Sequence, residues 1–211
     1  MSELQRLKGL LPPEMQSWVF VEAAAAVEPA LITLEEIGRD EVEIQVDLDS
    51  WDNLALDHRN LLFWHEVGRI QNDTIPRDGW EMAALAIGLG GAIGELWVQD
   101  GLLLLMALGL SGFAGYRLYL KNNAEKRLRD AISADERAID LACRFGYSVP
   151  NAYKSLGGAL KDLVEKTRKK KKRGFYEDRL EALRKSAGKA RAEMAQQQGS
   201  RQSVTSENVY G

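Results

Sequence analysis

The sequence predicts a mainly α-helical protein with a small β element and a transmembrane helical hairpin, and three patterns carry that prediction. Residues 41–47, EVEIQVD, alternate polar and apolar, so Val42, Ile44 and Val46 share one face as in a half-buried strand. From Leu54 to Ile70 apolar residues return at helical spacing (Leu54, Leu61, Leu62, Phe63, Val67, Ile70), and a similar pattern covers 124–146. Between these helices lie two nearly uncharged apolar runs, 82–98 and 102–120, joined by Gln99-Asp100-Gly101.

Residues 1–40 read as an N-terminal helical segment, amphipathic and broken at Pro12-Pro13. The apolar stretch Val19 to Val27, closed by Pro29, is too short to span a bilayer and reads as a buried element. The opening MSELQRLKGLLPPEMQ lacks the apolar core and small-residue cleavage site of a secretory signal. Cys143 is the sole cysteine, so no intrachain disulfide can form, which fits a reducing compartment. Asn72 to Gly79 is a loop by its turn residues.

Each apolar run approaches the roughly 20 residues of a spanning helix. Gly88, Gly91, Gly109 and Gly112 offer small faces for close helix approach, and Trp80, Trp97, Tyr116 and Tyr119 sit at the run ends, where interfacial aromatics belong. A hairpin buried in a soluble protein is the competing reading, but a 211-residue chain has little other mass to cover two helices apolar all round. The turn has no basic residue, whereas Arg69 and Arg77 precede the hairpin and Arg117, Lys121, Lys126, Arg127 and Arg129 follow it. That bias predicts an integral membrane protein with both termini on the cytoplasmic, or equivalent stromal, side.

Beyond the hairpin, Gly146 marks a helix stop and Asn151 a cap for the helix AYKSLGGALKDLVEK. Residues 166–195 form a basic linker and a charged helix from about 176, and 196–211 read as a disordered tail. Lys169, Lys170, Lys171, Lys172 and Arg173 form either a solvated linker or a membrane-surface contact worth about 1 kcal/mol per basic residue. With a net charge of −3 and no aromatic-interleaved basic motif, nucleic acid is not an expected partner; membrane lipid and a protein partner are.

The sharpest chemical motif is His65-Glu66-Val67-Gly68-Arg69. A zinc-peptidase helix needs H-E-x-x-H, with two imidazoles one turn apart on the metal and the glutamate polarising water. Here Arg69 stands at the second histidine position. A guanidinium has no lone pair to give and repels Zn²⁺. His58 lies seven residues before His65, about 10 Å along the axis, too far to share a metal. Arg69 is instead expected to pair with Glu66, Glu136 or Asp140 in a structural ion cluster.

Strand, H-E helix, apolar hairpin and the E-x-x-x-D helix Glu136 to Asp140, followed by Ala159-Leu160, resemble in order the HtpX-type family of membrane zinc metallopeptidases over roughly residues 40–165. The resemblance implies a gluzincin-like helical domain at 41–165 carrying the membrane hairpin at 82–120. It implies His65 and Glu136 as ligands, Glu66 as catalytic base and Asp140 as orienting residue, all forming a degenerate site once Arg69 is in place. The segment WHEVGRIQNDTIPRDGWEMAALAIGLGGAIGELWVQDGLLLL also resembles a family of uncharacterised membrane proteins of cyanobacteria and plastids, over most of residues 10–185, which implies a thylakoid or plasma-membrane address. The resulting expectation is a non-catalytic, cofactor-free membrane protein that binds a partner or assists assembly in a photosynthetic membrane. The alternatives are an active zinc peptidase using His65, Glu66 and Glu136, and a structural membrane protein unrelated to peptidases.

Overall fold

The computed structural model describes residues 2–25, 31–37, 41–73, 84, 86–90 and 101–207, with side chains described outside 101–104, 117–122 and 197–207. The chain divides into two compact units, Met1–Ile75 with Ala131–Gly211, and Pro76–Asp130.

In the first unit, helix α1 (Glu3–Lys8) opens on a reciprocal cap between Ser2 and Gln5. Strands β1 (Val19–Ala23), β2 (Ile32–Glu36) and β3 (Val42–Val46) form a sheet in the order β1-β3-β2. β3 is central: β1 runs parallel to it with Val19 opposite Val42, and β2 runs antiparallel with Leu34 opposite Ile44. The alternation in EVEIQVD places Val42, Ile44 and Val46 in the core, as the period of a strand requires.

Short α2 (Leu48–Trp51) leads into α3 (Leu56–Gln71), the central helix. Every residue from Asn60 to Gly68 is buried. β2, α1 and the long C-terminal helices supply the cover around α3. Trp64 packs between Phe145 and Tyr147, with ring centroids 5.1 and 5.7 Å away, and its indole donates to the Leu10 carbonyl. Helix α5 (Ala124–Arg144) ends at Gly146, whose φ of +93° is the left-handed conformation that glycine adopts without cost. Helix α6 (Val149–Lys166) begins with Ser148 at its N-cap and Pro150 in its first turn, ahead of the Asn151 cap expected. Helix α7 (Lys170–Glu207) packs against α6 and extends through the segment read as a charged helix into the one read as disordered.

The second unit contains a helical stretch at 86–90 and α4 (Gly101–Asn122). Here the fold-class expectation is corrected. Among the described residues no helix is long and apolar enough to cross a membrane, so the transmembrane hairpin at 82–120 is withdrawn. Most of its first arm and its turn lie outside the described residues. In α4 the apolar run through Leu110 gives way to Ser111, Gly112, Gly115 and Tyr116, which lower its apolar character. The gluzincin-like architecture goes with the hairpin: the chain is mainly helical with a three-stranded mixed sheet. The small faces do bring backbones close within this unit, since a side chain at Gly88 would collide with Ser111 and the Ala107 carbonyl.

Candidate functional site

Helix α3 places two ionisable residues, His65 and Glu66, where almost no solvent reaches them; each is 4% exposed. Burying such groups is costly unless each finds a partner. Gly68 makes that possible. A Cβ there would lie 2.8 Å from the Ala134 carbonyl oxygen and 2.9 Å from the Arg137 Cβ, so only glycine lets α3 and α5 approach this closely. The approach brings Asp135, equally buried, to His65: Nδ1 and Oδ1 are 2.8 Å apart.

The third member comes from α7. Arg179 is buried, and its guanidinium donates from Nε to Asp135 Oδ2 at 3.0 Å and from Nη2 to Oδ1, a two-pronged pairing that matches the planar carboxylate. The same Nη2 lies 3.1 Å from His65 Nδ1. The guanidinium carbon also sits 5.9 Å from each of the Phe175 and Tyr176 ring centroids, so the cation has aromatic neighbours as well as an anion. A permanent cation therefore occupies the position shared by the imidazole and the carboxylate.

Glu66 turns the other way. Its Oε2 accepts from Arg69 Nη1 at 2.8 Å, while its Oε1 stays 3.9 Å from His65 Nε2. The cluster thus pairs two carboxylates, Glu66 and Asp135, with two guanidiniums, Arg69 and Arg179. Charge is balanced with the imidazole neutral.

The titration behaviour follows from this environment. Burial, reinforced by the Arg179 charge, pushes the His65 pKa below its ordinary 6.5, against the pull of Asp135 and Glu66. Burial pushes Asp135 upward, but the Arg179 charge and then His65 overcome it, leaving the carboxyl below its ordinary 3.8. Burial opposes the charge on Arg179, and Asp135 more than restores it. Tyr176 is held neutral, chiefly by burial.

The structure brings together His65, Glu66 and Arg69 from the sequence-predicted set. It leaves Glu136 and Asp140 exposed on the outer face of α5. Asp135, one residue before Glu136, takes the inward position because the buried stripe of α5 runs through Ala131, Ala134, Asp135, Ala138 and Ala142. The sequence signal for Asp135 was this alanine stripe, on which it is the one acid. Arg179 had a fainter signal, the spacing Tyr176, Arg179, Leu183 along α7. Among the described residues no group of three or more His, Cys, Asp or Glu is placed to hold a metal ion. Lys169, Lys170, Lys171, Lys172 and Arg173 are all exposed at the start of α7.

A second surface belongs to the other unit. On α4, Leu105 and Met106 are 70% and 64% exposed, and Leu108, Leu110, Phe113 and Tyr116 are exposed with them. On the neighbouring helical stretch Ile87 and Leu89 are exposed too.

With a buried ion cluster in one unit and an apolar surface on the other, the chain belongs to a family described as a protein of unknown function (DUF3318), which matches residues 5–147. A relative, "Thylakoid membrane protein slr1949" of Synechocystis sp. (strain ATCC 27184 / PCC 6803 / Kazusa), is 70% identical over 192 residues, covering 91% of each chain. No solved structure matches. The family and the relative agree with the resemblance to uncharacterised cyanobacterial membrane proteins; neither description mentions a peptidase.

Proposed function

We propose that this protein is a non-catalytic, membrane-associated component of a photosynthetic membrane with an assembly or partner-binding role, and that it meets lipid through the apolar surface of its second unit. The observation that carries this reading is the exposed apolar face of α4. Proteins surrounded by water on all sides rarely show a contiguous patch of this kind, and larger ones mark membrane or protein contacts. The name of the relative points the same way. The exposed run Lys169 to Arg173 supplies a second contact, with anionic headgroups of the cytoplasmic or stromal leaflet.

The non-catalytic part of the proposal rests on Arg179. Its guanidinium pairs with Asp135 and lies against His65 Nδ1, the side a metal or substrate would share with that carboxylate, and His65 Nε2 is buried 3.9 Å from Glu66 Oε1. The cluster therefore acts as a polar staple between α3, α5 and α7, and no zinc accompanies it. Purified full-length protein is expected to carry less than stoichiometric zinc. Stoichiometric metal, with chelator-sensitive proteolysis lost in Glu66→Gln, would reinstate the peptidase alternative.

Fractionation of cyanobacterial cells expressing the tagged full chain tests the membrane reading. The protein is expected in the thylakoid pellet, and Leu105→Glu with Phe113→Glu should move it toward the soluble fraction. A soluble wild-type protein, or pelleting indifferent to those changes, would sink the proposed lipid contact.

A further inference from the structure

A groove of about 680 Å³ opens on the first unit, between the start of α3, the turn at Tyr147, and helices α6 and α7. Its floor is bare. Gly157 and Gly158 lie side by side on α6, flanked by Lys154 and Lys161 on the same face, seven residues and about 10 Å apart. Gly158 is required there, because a Cβ would strike the His58 ring, which Asp162 holds at the groove end by a 2.7 Å contact to Nδ1. Arg184 faces the groove from α7. Lys154, Lys161 and Arg184 are exposed and make no ion pair within 4.0 Å among the described residues, although Glu181, on the same helix as Arg184, is close enough to feel its charge. Asp57 is the lone carboxylate of the lining, and it already accepts the Tyr147 hydroxyl at 2.6 Å.

Within the lining three cations face one engaged carboxylate, so the wall is net positive, with Glu181 near Arg184 and Asp162 on His58 standing just outside it. The volume falls within the roughly 300–1,000 Å³ of small-molecule sites, and Tyr153 and Leu183 add an apolar wall. We propose that this groove binds an organic phosphate, its anionic group held by Lys154, Lys161 and Arg184 and its apolar part lying against Tyr153 and Leu183. An anionic phosphate, a monoanion in a phospholipid and close to a dianion in a monoester, offsets the positive wall, and a guanidinium fork matches its oxygens. This site is separate from the buried ion cluster and stands whether or not the α4 face meets lipid.

Two sources share the chemistry, a phospholipid headgroup and a soluble phosphate ester. Isothermal titration of the full chain should separate them, using dihexanoylphosphatidylglycerol below its micellar concentration, AMP, and dihexanoylphosphatidylcholine as the neutral control. Binding of the first alone assigns the groove to a lipid headgroup, and binding of AMP, with or without the first, admits a soluble ester. In each case Lys161→Glu with Arg184→Glu is expected to weaken binding at least tenfold, inorganic phosphate to compete, and Lys161→Arg to bind as wild type. The three residues are exposed, so these variants should fold, which circular dichroism checks. No binding of either anion, equal binding of the neutral lipid, or affinity unmoved by charge reversal would each overturn the proposal.

Discussion

Helices α3 and α4 invert the usual placement of side chains. α3 carries His65 and Glu66 in its middle and is buried through nine consecutive residues, Asn60 to Gly68. α4 carries Leu105, Met106, Leu108, Leu110 and Phe113 and leaves them exposed. Among the described residues the apolar helix is the open one, whereas the helix with charges is covered by a sheet strand and by α5, α6 and α7. Amphipathicity alone does not decide burial; the number of neighbours does. A charge buried this way must bring its own partners, and α3 finds them on α5 and α7.

The contrast is broken most severely by removing one partner of the buried cluster. Arg179→Ala leaves Asp135 an uncompensated buried carboxylate and should cost about 3–5 kcal/mol in urea unfolding. The joint replacement Asp135→Leu with Arg179→Met should cost much less than Arg179→Ala alone. A joint cost equal to or larger than that of the single change would mean that the pair contributes net stability.

Gly68→Val attacks the approach of α3 and α5 that creates the cluster. Backbone stands 2.8 Å from where the first added carbon would sit, so a loss of about 1–3 kcal/mol is expected. A neutral result would show that the helices can part without disturbing His65 and Asp135.

Acidification sharpens the same point without mutation. Both His65 and Asp135 have lowered pKa values in the fold, so the unfolded chain takes up their protons first. Stability is therefore full above the ordinary histidine pKa of 6.5 and falls as pH drops through it, with a further fall below the ordinary carboxyl value of 3.8. Denaturation midpoints measured between pH 8 and 5 should decline, and His65→Gln should flatten that decline.

The smallest effect on folding is expected on the exposed surfaces. Lys170→Glu with Lys172→Glu should change stability by no more than about 0.5 kcal/mol, because both are solvated. The same pair should weaken binding to anionic vesicles by about 1 kcal/mol per residue. A large stability loss would mean that this run packs in the folded protein, against its exposure.

Much of this fold was legible before the structure. The period-2 pattern of EVEIQVD located β3, and the helical spacing from Leu54 to Ile70 located α3 to within two residues at its start. Gly146 marked the end of α5 because few other residues close a helix with positive φ. β1 was hidden, since the Ala-rich stretch after Val19 has no alternation to announce a strand, and its pairing with β3 spans some 20 residues. The hairpin expectation failed for a related reason: a count of apolar residues over 82–120 does not weigh how serine, glycine and tyrosine punctuate α4.

The sequence by itself determined β3 and helices α3 and α5, because those periods are local properties of backbone geometry, but it read 1–40 as helical, where the fold places β1 and β2. It also determined that His65, Glu66 and Arg69 share one helix, with Arg69 at reach of Glu66 one turn away. Only the tertiary structure decided that Asp135, and not Glu136, faces His65, since a shift of one residue turns a helix by about 100°. Only it decided that a guanidinium from α7, more than a hundred residues away in the chain, completes the cluster. Such a contact costs chain entropy and is held by the packing of whole helices, so no local pattern announces it.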